Sequence, residues 1–273
     1  MDGLDLKNSV RVMRKDLKVV LRNKQISIPL FVLPLIFAVG LPIFTMLGVL
    51  YQPEEFFAAF GNINKMRAQV LIPENYNLQL TAALLISKMM ILPYFLIIPT
   101  LICVIISSDS FAGEKERKTI ESLSLLPISK MELIIGKVLT SFVPGMVLSI
   151  VFFGVIGGIS NIIFWDYLEG NILIFTDLTW LLSVFLMIPA LSLCNVLIST
   201  MVSSRSKDFK SAQSITGALI VPVLGLLFLQ LFNPAFLSPL MIIIITIILY
   251  LLCIGLAYLA KRVLDIERLI LML

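Results

Sequence analysis

Six stretches of this chain are each about twenty mostly apolar residues long, the length a helix needs to cross the ~30 Å hydrocarbon core of a bilayer. They fall at 26–50, 81–107, 133–160, 178–203, 214–232 and 238–260. None shows the ten-residue alternation of a membrane barrel, so each reads as a helix that pairs its backbone groups internally. Only 14% of the residues are charged and 59% are hydrophobic. Soluble domains average about 25% charged, so this balance cannot coat a soluble surface. The expected fold class is an all-α integral membrane protein with six transmembrane helices, built as a single transmembrane domain over 1–273.

The basic residues set the expected orientation. The segment 1–25 carries Lys7, Arg11, Arg14, Lys15, Lys18, Arg22 and Lys24. The loop 108–132 and the start of the third span add Lys115, Arg117, Lys118, Lys130 and Lys137. The link between spans four and five adds Arg205, Lys207 and Lys210, and the tail 261–273 adds Lys261, Arg262 and Arg268. The other side has Lys65 and Arg67 alone, with Lys88 at that edge of span two, where its stem is expected to snorkel to the interface. Both termini are therefore expected in the cytoplasm of a multi-pass protein of the cell membrane. Residues 1–25 are too polar for a secretory signal and read as mature chain.

Several function classes are disfavoured. The chain has no histidine, so the commonest metal ligand and general base is missing. Cys103, Cys194 and Cys253 each fall inside a span and read as small buried hydrophobes. No Asp or Glu interrupts an apolar core, whereas proton- and ion-driven transporters usually need such groups. The nearest approach to a phosphate loop is "ELIIGKVL", which has Met131 in place of the first glycine and Val138 in place of Ser or Thr. No enzyme activity and no cofactor are expected in this chain.

Before the first span, Leu6, Val10, Met13, Leu17 and Val20 recur at spacings that place them on one stripe of a helix. Arg11, Arg14 and Lys18 lie on the adjoining face. A basic helix with one apolar stripe suits the plane of a membrane surface, with lipid as its partner. This predicts an N-terminal amphipathic interfacial helix.

The loop "SSDSFAGEKERKTIESLSLLPIS" is a densely charged interruption between two apolar runs. Gly113 is expected to end span two, and residues 114–126 are helix formers with no Gly or Pro. Wound as a helix, Ile120, Leu123 and Leu126 share a face opposite Glu114, Arg117, Lys118 and Glu121. Pro127 stops that helix, and Ser129 with Glu132 forms a capping box that starts span three. A short stiff cytoplasmic helix joined to two spans is suited to receiving force from a cytosolic partner.

The run Asp109, Gly113, Glu114, Arg117, Thr119, Ile120, Glu121, Leu123, Pro127, Ile128, Ser129, Gly136, Lys137 closely resembles the loop of the ATP-binding-cassette (ABC) type-2 permeases. The resemblance spans about thirty residues without a gap, and "SSRSKDFKSAQS" is similar to the family's second, shorter basic link. It implies the transmembrane subunit of an exporter, paired with a second copy or a related permease. It also implies two separate ATPase subunits, which would hold ATP and magnesium and drive a coupling helix between spans two and three. On that reading Glu114, Glu116, Arg117, Thr119 and Glu121 offer polar contacts to the ATPase, and Ile120, Leu123 and Leu126 seat the coupling helix. Arg205, Lys207, Asp208 and Lys210 form a second contact. No nucleic-acid partner is implied. A scaffold or sensor subunit that docks a cytosolic partner without transport, and a channel or secondary transporter, are the alternatives.

Overall fold

The computed structural model describes residues 5–58, 63–70, 72–119 and 128–263, with only the backbone given at 56, 57, 130 and 261–263. Among these residues the chain is helical and has no strand. The first helix, α1 (Leu6–Arg22), starts at Asp5, whose side chain accepts from Lys7 N. Six longer helices are apolar enough to cross a membrane. Span one is α2 (Lys24–Tyr51), followed by two short helices, α3 (Pro53–Ala58) and α4 (Ile63–Val70). Then come α5 (Leu78–Glu116), α6 (Lys130–Ile163), α7 (Leu178–Arg205), α8 (Phe209–Phe232) and α9 (Pro239–Val263).

Most spans run past the apolar stretches read from sequence, because a helix continues wherever its backbone can pair. The largest extension is in span two. It has 39 residues, which at 1.5 Å per residue is roughly 58 Å, well beyond a ~30 Å hydrocarbon core. Gly113 does not end it. The helix passes through Gly113 to Glu116 and closes at Arg117, with Lys118 turned left-handed at φ 55°.

Three spans share a local device. A five-residue π-turn occurs at Ile36–Gly40 in α2, Ser87–Ile91 in α5 and Ser183–Met187 in α7. A proline follows two residues after each: Pro42, Pro93 and Pro189. Proline has no N–H and its ring clashes with the carbonyl four residues back, and a widened turn relieves both problems.

Span two is the axis of the bundle. Its most apolar window is 94% buried within the chain, against 17% for span six. Spans one, three, four and five pack around it, and Phe95 of α5 meets Trp180 of α7 at 5.5 Å between ring centroids. Hydroxyl and amide groups stitch α5 to α7 where lipid offers no partner. Asn195 donates to Thr100 at 3.0 Å, and the Ser203 hydroxyl donates to Ser108 O at 2.7 Å while accepting from Phe111 N and Ala112 N.

Candidate coupling site

The basic end of the bundle holds a buried charge cluster built by α1, α5 and α6. Lys137, on the second turn of α6, has a side chain with no exposed area. Its ammonium donates to Ser110 O at 2.6 Å and Glu114 Oε2 at 2.8 Å, and lies 3.5 Å from Asp16 Oδ2. It also sits 4.6 Å from the centroid of the Phe111 ring. Lys15 reaches the other Glu114 oxygen at 3.7 Å from its exposed position on α1. One cation thus neutralises carboxylates from two helices, and a buried charge requires that kind of pairing.

Beside it lies a second ion pair. Arg117 folds back along α5 and grips Asp109 through both guanidinium nitrogens, at 3.0 and 3.1 Å. This fork crosses Gly113, where a Cβ would collide with the Asp109 carboxylate and come within 3.0 Å of the guanidinium. Gly113 is therefore a site of clearance and not a helix stop. Lys15, Asp16, Ile106, Asp109, Glu114 and Arg117 are among the residues lining a half-open cavity of about 230 Å³.

The same end explains Gly136. A Cβ there would lie 2.7 Å from Val12 Cβ and 2.9 Å from Ser9 O, so α1 and α6 approach at backbone distance. Ser9 donates to Glu132 O at 3.0 Å, and Glu132 Oε1 accepts from Asp5 N at 2.7 Å. The expected capping box is present: Ser129 and Glu132 each accept from the other's backbone. Glu132 therefore caps its own helix and holds the start of α1.

These contacts correct the roles read from sequence. Glu114 is not an exposed contact. It is 5% exposed and turned into the bundle. Glu114 and Lys118 do not share a helix face, because the helix ends between them. Glu116 accepts from Phe209 N at 3.2 Å and so ties the end of α5 to the start of α8. Thr119 N closes onto Glu114 O at 2.9 Å. Ile120, Glu121, Leu123 and Leu126, with the body of the expected coupling helix, lie outside the described residues.

In the second link Asp208 caps α8 by accepting from Ser211 N at 2.8 Å, while Arg205, Lys207 and Lys210 are exposed. Lys115, counted only as a topological charge, closes the end of α7 by donating to Ser204 O at 2.6 Å.

The structure divides α1 into two faces. Ser9, Val12 and Val20 are buried against the bundle. The apolar stripe Leu6, Val10, Met13 and Leu17 is left at least partly open, with Leu6 65% exposed, and Arg11, Arg14 and Lys18 are exposed. At the opposite end Lys88 does not snorkel free. It pairs with Asp177 at 2.6 Å.

Among the described residues, six helices long and apolar enough to cross a membrane make a multi-pass bundle. A family model described as ABC-2 family transporter protein matches residues 10–243. The chain belongs to that family. No curated protein matches it. ABC-2 members are the membrane subunits of ABC transporters. They work with ATPase subunits and are not ATPases themselves, so this chain is a multi-pass permease subunit. Within the permease, the Gly-Glu and Gly-Lys pairs of the resemblance acquire a physical meaning. Glu114 and Lys137 form the buried ion pair, Gly113 leaves room for the Asp109–Arg117 pair beside it, and Gly136 lets α1 approach α6.

Proposed function

We propose that this permease is the membrane-spanning half of an exporter whose basic end faces the cytoplasm. Two ATPase subunits dock on the loop between α5 and α6, with Arg205, Lys207 and Lys210 as a second contact. The permease pairs with a second copy or a related chain, and α1 lies in the plane of the cytoplasmic lipid surface, with Leu6, Val10, Met13 and Leu17 toward lipid. ATP and magnesium belong to the partner.

The observation that carries this reading is the fully buried Lys137. Through it the end of span two, the start of span three and α1 share one set of ion pairs, so a push on the intervening loop moves all three together. Neither a passive connector nor a lipid-facing tail needs such a tie, because desolvating Lys137, Glu114 and Asp16 is costly unless each is matched.

The test is reconstitution of the permease with the ATPase that co-purifies with it. Arg117→Glu with Glu121→Lys is expected to cut transport and ATPase stimulation by roughly tenfold, about 1.4 kcal/mol of lost coupling. Intact complex formation and turnover in that double variant would overturn the docking assignment. Solute flux through the isolated permease without nucleotide would replace it with a channel.

A further inference from the structure

The Lys88–Asp177 pair sits at the far end of the bundle from Lys137, and its two members are held very differently. Asp177 has three uses. One oxygen accepts from Lys88 at 2.6 Å; the other accepts from Thr179 N at 2.9 Å and Trp180 N at 3.3 Å, capping α7. Its charge is therefore stabilised by backbone donors whether or not Lys88 is present. The Lys88 ammonium has Asp177 as its one recorded partner among the described residues. Its backbone is fixed independently. Lys88 lies in the π-turn of α5, and its carbonyl accepts from Gln230 Nε2 at 3.3 Å. Gln230 also holds the turn between α8 and α9, donating to Pro234 O at 2.8 Å and accepting from Leu237 N at 2.7 Å. The side chain can thus change partners while its stem stays anchored.

A cavity lies on each side of this pair. One, of about 210 Å³, is walled by Leu80, Leu84 and Leu173 with Tyr76 and Asn171. The other, of about 240 Å³, is walled by Val70, Leu178 and Leu237 with Gln69 and Ser238. Lys88 and Asp177 line both. The second is mainly apolar with a few polar groups, the usual make-up of a small-molecule site, while the first is lined about evenly by polar and apolar groups.

We propose that Lys88 is the anchor of a binding site for an amphiphilic anion, a carboxylate or phosphate carrying an apolar tail. The anionic head takes the place of Asp177 on the Lys88 ammonium, and the tail enters one of the flanking cavities. Asp177 then remains charged on the helix start, so the exchange leaves no buried carboxylate without donors. A cationic ligand would need the reverse exchange and would strand Lys88 in apolar surroundings, which is unfavourable.

The experiment uses the full chain purified in a neutral detergent, with dodecanoate, dodecyl phosphate and dodecyltrimethylammonium as probes followed by calorimetry. The wild-type chain is expected to bind both anions and not the cation. Lys88→Met is expected to weaken anion binding by roughly tenfold or more, as expected on losing a charge-assisted hydrogen bond, and Lys88→Arg to retain it. Asp177→Asn is expected to tighten binding several-fold, because Asn still caps the helix but no longer competes for the ammonium. Asp177→Ser is the second variant if Asn folds poorly, and Lys88→Gln the second for Met.

A purely structural ion pair would make both single substitutions neutral or harmful to binding, so anion affinity unchanged or reduced in folded Asp177→Asn overturns the proposal. Equal binding of the cation also overturns it. Native mass spectrometry from phosphatidylglycerol nanodiscs separates the two sources. Lipid retained in a Lys88-dependent way assigns a lipid phosphate. Binding of dodecanoate without such retention assigns a diffusible amphiphile.

Discussion

Two lysines are placed at opposite ends of the same central helix system, and their surroundings differ in kind. Lys137 is wholly enclosed, has two short hydrogen bonds and a nearby second carboxylate, and lies over an aromatic ring. Lys88 keeps 17% of its side-chain surface, has one ionic partner and stands between two cavities. The first arrangement makes a joint that cannot be remade without exposing charge. The second makes a contact that can be exchanged. Burial separates them in part, and the number of acceptors and the room beside them complete the difference.

The comparison is broken most forcefully at Lys137. Lys137→Met removes one partner of a buried network and is expected to lower stability by about 3–5 kcal/mol. Thermal denaturation of the purified permease checks this. Adding Glu114→Gln should restore part of the loss, and simple additivity of the two would refute the pairing.

Gly136→Val is expected to cost about 1–3 kcal/mol, because its Cβ meets backbone and Cβ atoms of α1 that cannot swing aside. Faster proteolysis of α1 should accompany it. Lys88→Met should cost less, about 1–2 kcal/mol, since its pair is partly solvated. A loss equal to that of Lys137→Met would erase the distinction between the two ends.

Gly113→Ala sharpens it further. The alanine adds roughly 1 kcal/mol of helix propensity but displaces Arg117 from the buried Asp109 carboxylate, which costs about 2 kcal/mol. Thermal denaturation should therefore show a net loss of about 1 kcal/mol, while ATPase stimulation falls because Arg117 no longer anchors the loop. The smallest effect is expected at Arg11 and Lys18. Replacing either with Ala should change stability in neutral detergent by less than about 0.5 kcal/mol. It should also remove about 1 kcal/mol of attraction to anionic nanodiscs.

The spans were legible because a bilayer imposes one length on every crossing helix, and their apolar cores record it directly. Their ends were not. Asp109 and Glu114 resemble solvated loop charges in sequence, since nothing local says that Arg117 and Lys137 will close on them. The stripe of α1 was legible as a period, but of its members only Val20 is buried, and the docking face adds Ser9 and Val12, which lie off the stripe. It becomes meaningful only opposite Gly136. Gly113 was misread because propensity treats glycine as a weak point in a helix, while here the missing side chain is what a crossing ion pair requires. Lys88 likewise looked like a boundary residue until Asp177, far along the chain, was brought beside it.

Each π-turn in α2, α5 and α7 carries one residue more than the α-helical turn it replaces. Counted as plain α-helix, that extra residue would misplace everything beyond it by roughly 100° about the helix axis. The two segments of such a span therefore read as one stripe only if the extra residue is skipped in the count. Deleting one residue between positions 87 and 91 would let the turn close as ordinary α-helix and leave the outer segment nearly in place, whereas deleting one from the α-helical part of the span would turn that segment by about a quarter of a circle against everything it touches. In a helix of this construction, the count of residues acts as an angular setting.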